Sequence, residues 1–173
     1  PPINTVSIDS NNNIIDIANI LNSKSEAVKN LTFTGISILS PDIFEYLSPN
    51  KSFSIIDVYI KLIKEKQGSI KAIIPQSRFY WRDIGTIGSY IDLHNDILIN
   101  NELSIFFDNI DKIYIGNNVQ IDSSVTLEGF NSIGNNVAIK KNTYLKDCVV
   151  FEGTEIPSNL HFEKKIIYNK LIV

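Results

Sequence analysis

Residues 115–151 read IGNNVQ IDSSVT LEGFNS IGNNVA IKKNTY LKDCVV F, with an apolar residue at every sixth position. A period of six fits neither an α-helix, which repeats every 3.6 residues, nor a simple alternating strand. It is typical of a parallel β-helix, in which each hexad forms one flat side of a triangular coil. We therefore predict such a coil, with seven side chains inside it: Ile115, Ile121, Leu127, Ile133, Ile139, Leu145 and Phe151.

Other positions in the hexads also favour a coil. Asn118 and Asn136 stand at the expected corners, and asparagine tolerates the left-handed backbone conformation that tight corners need. The pattern resembles the left-handed β-helix of hexapeptide-repeat proteins. We expect the coil and a terminal cap to occupy residues 113–173, with the period broken from Pro157 onward. A small or β-branched residue recurs four places after the core position, at Val119, Val125, Val137, Thr143 and Val149.

Composition excludes several classes of function. The 173 residues are 43% hydrophobic with a net charge of −3, so a real core is expected. The basic residues are scattered, which argues against a nucleic-acid partner and against an anionic membrane surface. No membrane span or signal peptide is visible, and the single cysteine, Cys148, fits a reducing cytoplasm. Because the chain contains no methionine, we expect it to be the C-terminal part of a longer protein.

Residues 1–98 have the pattern of a mixed α/β region. A polar turn at residues 9–13 predicts a β-hairpin, and strands are expected at 31–39, 69–75 and 79–81. Ser40 and Ser54 precede two apolar-periodic segments and should cap helices. A third helix is expected at about 87–98, followed by a connector at 99–112. The predicted fold is thus a mixed α/β region followed by the parallel β-helix.

Four motifs in residues 1–98 carry a resemblance to a known family. Their order and spacing, followed by the coil, resemble the C-terminal half of a sugar-1-phosphate nucleotidyltransferase, of the mannose-1-phosphate guanylyltransferase and related types. The resemblance implies that residues 1–98 form a partial Rossmann-like α/β domain. Several members of that family carry a left-handed β-helix directly after this segment. The resemblance covers nearly the whole chain. The motifs are Phe33-Thr34-Gly35-Ile36, Pro41-Asp42-Ile43-Phe44, Phe53-Ser54-Ile55-Ile56-Asp57 and Trp81-Arg82-Asp83-Ile84-Gly85-Thr86.

The resemblance implies a reaction in which an NTP and a sugar-1-phosphate give an NDP-sugar and pyrophosphate with Mg²⁺. It implies that Asp83 is one metal ligand and that Gly85 lets the backbone approach the phosphates. Thr34 and Gly35 match the strand that lines the sugar pocket. Trp81 either stacks on the ligand or packs in the core, and Asp83 has the alternative role of an ordinary turn acid.

The resemblance also has a gap. The family's nucleotide-binding half opens with a Gly-rich loop, whereas the first 30 residues of this chain contain no glycine. The chain alone is therefore expected to be inactive. One alternative is a non-catalytic regulatory or oligomerisation subunit. A less favoured one is a hexapeptide-repeat acyltransferase, which needs a histidine in the coil, whereas His161 is expected to lie after the period has ended. We also expect a homo-oligomer.

Overall fold

The computed structural model describes residues 5–23, 27–48, 51–77, 79–100, 111–169 and 171–172. The chain divides into two compact units, Pro1–Phe79 and Tyr80–Val173. The boundary suggested by the sequence, residue 98, lies inside the second unit. Most of the predicted connector, residues 101–110, lies outside the described residues.

The first unit begins with the predicted β-hairpin. Strands β1 (Thr5–Ile8) and β2 (Ile14–Ile17) pair antiparallel, and β3 (Lys29–Thr32) pairs antiparallel with the other side of β1. The Asp9 carboxylate closes the hairpin turn, because its Oδ1 accepts hydrogen bonds from the backbone N–H groups of Asn11 at 2.8 Å and Asn13 at 2.9 Å. Such side-chain bonds to the backbone favour turns over continued strands.

Both helices predicted next in the first unit are present. A 3-10 helix spans Pro41–Tyr46, and α1 spans Ile55–Glu65. The side chains of Ser40 and Ser54 accept hydrogen bonds from N–H groups in the first turns, as the sequence predicts. The apolar face of α1 packs with the sheet, which is consistent with a partial α/β domain. This core contains Val6, Ile8, Ile17, Tyr59 and Ile60.

The sequence predicts a buried strand at 31–39, but β3 ends at Thr32, and the prediction is wrong beyond that residue. Gly35 has φ +84°, which turns the chain out of the extended conformation after the end of β3. The apolar side chains that follow are exposed, to 79% at Ile36 and 89% at Ile38. The predicted strands at 69–75 and 79–81 are likewise not found among the described residues, apart from an isolated bridge between Lys71 and Asn13.

The second unit starts with an irregular segment, 80–86, and the predicted helix α2 (Ile87–Leu98). Thr86 caps α2 through a reciprocal capping box, in which its side chain accepts from the Ser89 N–H and the Ser89 side chain accepts from the Thr86 N–H. The helix then packs on the β-strands that follow within the same unit.

These strands form the predicted parallel β-solenoid of about three turns. On each of the three sides of the solenoid, a strand pairs parallel with the equivalent strand of the next coil. On one side, for example, Ile113 pairs with Asn131, and Asn131 pairs with Cys148. The strands are β4 (Ile113–Ile115), β5 (Gln120–Ile121), β6 (Thr126–Ile133), β7 (Ala138–Ile139), β8 (Tyr144–Val150), β9 (Glu155–Ile156), β10 (His161–Glu163), β11 (Ile166–Tyr168) and β12 (Leu171–Ile172).

The corners of the solenoid follow the asparagine pattern. Asn118 and Asn136 have φ of 55° and 56°, as predicted. The side-chain amide of Asn118 donates to that of Asn136, its equivalent in the next coil, at 3.3 Å. The asparagines thus both adopt the strained corner conformation and connect adjacent coils.

The coils differ in length, and this corrects one predicted core residue. Ile113 pairs with Asn131, eighteen residues later, but Ile133 pairs with Val150, only seventeen later. The hexad that begins at Leu145 therefore has five residues, and Val150 takes the next inward position, 1% exposed. Phe151 lies on the outside, 37% exposed, so its predicted core position was wrong.

The other predicted core residues are buried to different extents. Ile133, Ile139 and Leu145 are no more than 2% exposed, while Ile121 and Leu127 pack against the same core from partly buried positions. Ile115 is 48% exposed, because it lies on β4, the edge strand of its sheet.

The solenoid continues past the predicted break at Pro157. Strands β10 and β11 both pair parallel with β8, so the period shifts by one residue instead of ending. Strand β12 then pairs antiparallel with β11 and ends the parallel progression.

The corner between β6 residues 128 and 131 holds two residues, whereas the equivalent corner of the next coil holds only Asp147. Gly129 turns this corner with φ +66°, and a Cβ there would lie 2.1 Å from Asp147 Oδ1. The extra residue, Phe130, is 3% exposed and belongs to a cluster outside the solenoid core. That cluster also contains Ile91, Leu98 and Val149.

The shift in period can be tested with two adjacent substitutions. Val150→Asp should prevent the solenoid from folding, because burying an unpaired carboxylate costs several kcal/mol, about the whole stability of a small domain. Phe151→Asp should leave a cooperative unfolding transition, since that side chain is on the outside. Urea unfolding followed by circular dichroism measures both. Equal loss of structure in the two variants would contradict the five-residue hexad.

Candidate functional site

The candidate site is the loop 83–86, which joins the irregular segment 80–82 to helix α2. Asp83 Oδ1 accepts a hydrogen bond from the Gly85 backbone N–H at 2.9 Å, which forms a compact turn. Thr86 then caps α2. Asp83 is exposed, and its Oδ2 has no hydrogen bond from any part of the chain that the structure describes. The loop thus presents one carboxylate oxygen to solvent at a helix N-terminus.

Arg82 and Asp96 form an ion pair that anchors this loop to α2. Arg82 Nε donates to Asp96 Oδ2 at 2.7 Å, and Arg82 Nη2 donates to the same oxygen. The Tyr80 hydroxyl also donates to Asp96 Oδ2, at 2.8 Å, and the Asn100 side-chain amide donates to Oδ1 at 3.1 Å. Arg82 Nη1 lies 3.7 Å from the exposed Asp92.

The electrostatics of this cluster follow from burial and hydrogen bonding. Burial of Asp96, which is 7% exposed, raises the pKa of its carboxyl, but hydrogen bonds from Tyr80, Arg82 and Asn100 outweigh this and hold the pKa below its ordinary value. Burial and the bond to Asp96 raise the pKa of Tyr80. Asp96 is therefore ionised at neutral pH and holds Arg82 with charge-assisted bonds.

Sequence reasoning did not assign a role to Arg82 or Asp96. The signal available was weak: a basic residue next to Asp83, and two acids four residues apart, Asp92 and Asp96, on a predicted helix. Spacing alone places the two acids on neighbouring positions of one face, but it does not tell which of them is buried.

The predicted site residues divide between the two units. Trp81, Asp83 and Gly85 belong to the second unit, where Asp83 contacts Gly85 and the Trp81 side chain is partly exposed. Thr34 and Gly35 belong to the first unit, directly after β3. A Cβ on Gly35 would meet nothing within 4 Å, so this position requires glycine for its φ of +84° and not for space.

Mg²⁺ prefers carboxylate and other hard oxygen ligands. Asp83 fits as one such ligand because its Oδ2 is exposed and without a hydrogen bond among the described residues. The described residues contain no group of three or more His, Cys, Asp or Glu side chains that could hold a metal ion. Any ion held at Asp83 would therefore need oxygen ligands from a bound molecule or from residues outside those that the structure describes.

A second cluster of side chains lies where α2 meets the outer face of the solenoid. Tyr90 makes edge-to-face contacts with His94 at 5.0 Å and with Phe151 at 6.2 Å between ring centroids, and Phe151 contacts Tyr168 at 6.0 Å. Burial lowers the pKa of His94 below its ordinary value of 6.5. The imidazole is therefore neutral at pH 7, and the cluster is a packing contact between aromatic rings.

The remaining chemically reactive side chains have structural surroundings. Burial raises the pKa of the Cys148 thiol, which donates to the Lys146 carbonyl at 3.2 Å inside the solenoid. His161 is exposed on β10 and stacks on Tyr144 at 4.3 Å, in the third coil and not beyond the period as its sequence position suggested. No helix among the described residues is long and apolar enough to cross a membrane.

The lowered pKa of His94 predicts a pH dependence of stability. As pH falls below 6.5, the unfolded chain binds a proton that folded His94 resists, so the free energy of unfolding should decrease by at most about 1.4 kcal/mol per pH unit. His94→Gln should reduce this slope, and His161→Gln should retain it. Urea unfolding at pH 7.5 and 5.5 measures the difference, and equal slopes for wild type and His94→Gln would contradict the prediction.

Comparison with known proteins finds relatives of part of the chain. A segment of 61 residues is 38% identical to bifunctional protein GlmU of Pseudoalteromonas atlantica, covering 35% of this chain and 14% of that protein. A segment of 56 residues is 38% identical to bifunctional protein GlmU of Marinobacter nauticus, covering 32% and 12%. No protein-family profile matches the chain. Together with the observed solenoid, these matches are consistent with the resemblance to sugar-1-phosphate nucleotidyltransferases that carry a hexapeptide-repeat β-helix.

Proposed function

We propose that this chain supplies the sugar-binding half and one metal ligand of a sugar-1-phosphate nucleotidyltransferase. The observation that carries the proposal is the loop of Asp83 and Gly85, which holds an exposed carboxylate oxygen at the capped N-terminus of α2. In this reaction the sugar phosphate attacks the α-phosphorus of an NTP in line, and pyrophosphate leaves. Bound Mg²⁺ would neutralise the charge that gathers on the phosphate oxygens.

Different residues of this chain would bind the ion, the phosphate and the sugar. Asp83 provides a carboxylate oxygen for the ion, and the backbone at Gly85 lies where a phosphate can approach without a side chain. Thr34 and Gly35 provide a short side chain and backbone groups for the sugar. Trp81, whose ring is 37% exposed, provides a flat surface for a sugar ring or base.

The NTP-binding half would come from another region of the protein or from a partner. The first 30 residues contain no glycine and so no backbone cradle for a triphosphate. The first unit also exposes large apolar side chains, which a soluble domain normally covers with further structure. Each of them is at least 45% exposed: Ile20, Val28, Ile36, Ile38, Leu39, Phe44, Phe53, Ile73 and Phe79. The buried, reduced Cys148 supports a cytoplasmic location.

Two other functions predict different results in simple assays. A regulatory or oligomerisation subunit would bind a sugar-1-phosphate, form no NDP-sugar, and change the activity of a separate catalytic chain. An acyltransferase would transfer acetyl from acetyl-CoA and lose that activity in His161→Ala. The nucleotidyltransferase part would form NDP-sugar only together with an NTP-binding half.

We further propose that the chain forms a homo-oligomer, most simply a dimer, through the end of the solenoid. Strands β9 and β10 lie at sheet edges in the described part of the chain. A cavity of about 750 Å³ opens beside them, lined mainly by apolar side chains that include Ile156, Leu160, Phe162 and Ile167. Exposed edges and apolar ends favour association. Sedimentation at micromolar concentration should show a species heavier than 19.5 kDa, and a single species of that mass would contradict the proposal.

Substitution of Asp83 tests the metal role. In a protein that contains this chain and its NTP-binding half, Asp83→Asn should lower turnover by roughly two orders of magnitude or more, because a ligand that stabilises transition-state charge is lost. The melting temperature should barely change, since asparagine can still accept the Gly85 bond. Asp122→Asn is the matched control, because Asp122 makes the same turn with Ser124 in the solenoid. Full turnover of Asp83→Asn at saturating Mg²⁺ would show that Asp83 is a turn residue and not a metal ligand.

A further inference from the structure

The solenoid and the Asp83 loop are connected through α2. Phe130, the extra residue of the first coil, packs with Ile91 and Leu98 of the helix, and all three are at most 8% exposed. Val149 of the next coil completes the contact. The Phe130 backbone is itself held, because its N–H donates to Asp147 Oδ1 at 3.1 Å. The helix is therefore fixed on a close-packed surface of the coil.

Asp96 extends this connection from the helix to the residue before Asp83. It lies on the buried side of α2 and accepts bonds from Arg82, Tyr80 and Asn100. Of these three donors, only Arg82 is adjacent to Asp83 in the sequence. Its guanidinium also lies 3.7 Å from the exposed Asp92 one helical turn earlier, a longer and weaker contact than the bonds to the buried Asp96. Asp96 is therefore the carboxylate that fixes the Arg82 side chain.

Asp83 has few contacts of its own that could hold it in place. Among the residues that the structure describes, its carboxylate accepts one hydrogen bond, from the Gly85 N–H two residues away in the same loop. Such a bond shapes the turn but does not fix its position relative to the helix. On the other side, Thr86 is tied to α2 by the capping box. The position of the carboxylate thus depends on Arg82 at one end of the loop and on Thr86 at the other.

We propose that Arg82 is a positioning residue that holds the Asp83 carboxylate through Asp96, with the solenoid as the platform for α2. This inference rests on the proposed nucleotidyltransferase function for its catalytic consequence, but its structural part stands on this chain alone. Arg82 would not touch the substrate. It would set the direction in which Asp83 meets the metal and the phosphates, and the solenoid would then contribute to the site as well as to assembly.

Amide exchange in the full 173-residue chain tests the structural part. In Arg82→Gln, exchange of the Gly85 amide, which is bonded to Asp83, should accelerate by roughly tenfold or more, because the loop loses its anchor. Exchange at Gly134, bonded to the Val150 carbonyl in the solenoid, should not change. Arg82→Lys should restore part of the protection, and Asp92→Asn should match the wild type. An unchanged Gly85 rate in Arg82→Gln, with the solenoid folded, would overturn the proposal.

Activity together with the NTP-binding half tests the catalytic part. Arg82→Gln should raise the Mg²⁺ concentration needed for half-maximal rate by roughly tenfold, with much of kcat recovered at saturating Mg²⁺. Arg82→Lys should lie between this variant and the wild type. If the wild type forms no NDP-sugar, the proposed function fails while the exchange result still decides the role of Arg82. If the wild type is active and Arg82→Gln has an unchanged Mg²⁺ dependence, the positioning role fails alone.

Discussion

The hydrogen-bonded stacking of one coil on the next is the constraint on which the second unit depends. Each side of the solenoid pairs with the same side of the neighbouring coil, so the coil length sets which side chains point inward. One residue fewer in the hexad at Leu145 moves Val150 into the core and Phe151 to the surface. A local change of a single residue therefore determines the placement of all the later side chains.

The same difference in length produces the surface that carries α2. The first coil has Gly129 and Phe130 at the corner where the next coil has only Asp147, and the additional ring projects from the solenoid core. The helix covers this ring and the neighbouring Val149. From there the Asp96 and Arg82 pair leads to the loop of Asp83. Packing contacts and one ion pair thus connect the solenoid to the loop that contains Asp83.

The first unit contrasts with this close packing. Its small core of sheet and α1 is complete around Tyr59 and Ile60, while side chains such as Ile36 and Ile38 stand in solvent. A surface of this kind is consistent with a chain that supplies part of a larger site.

The sequence by itself determined the solenoid, its corner asparagines, the hairpin, three helices and the caps at Ser40 and Ser54. These depend on short-range periodicity and on local hydrogen bonds, both of which are written in neighbouring residues. It also pointed to Asp83 and Gly85 as one loop. Only the tertiary structure decided that Val150 replaces Phe151 inside, that the strand β3 ends at Thr32, and that Arg82 binds Asp96. Those outcomes depend on which coil, strand or helix lies opposite each residue, and that information is distributed over residues distant in the sequence.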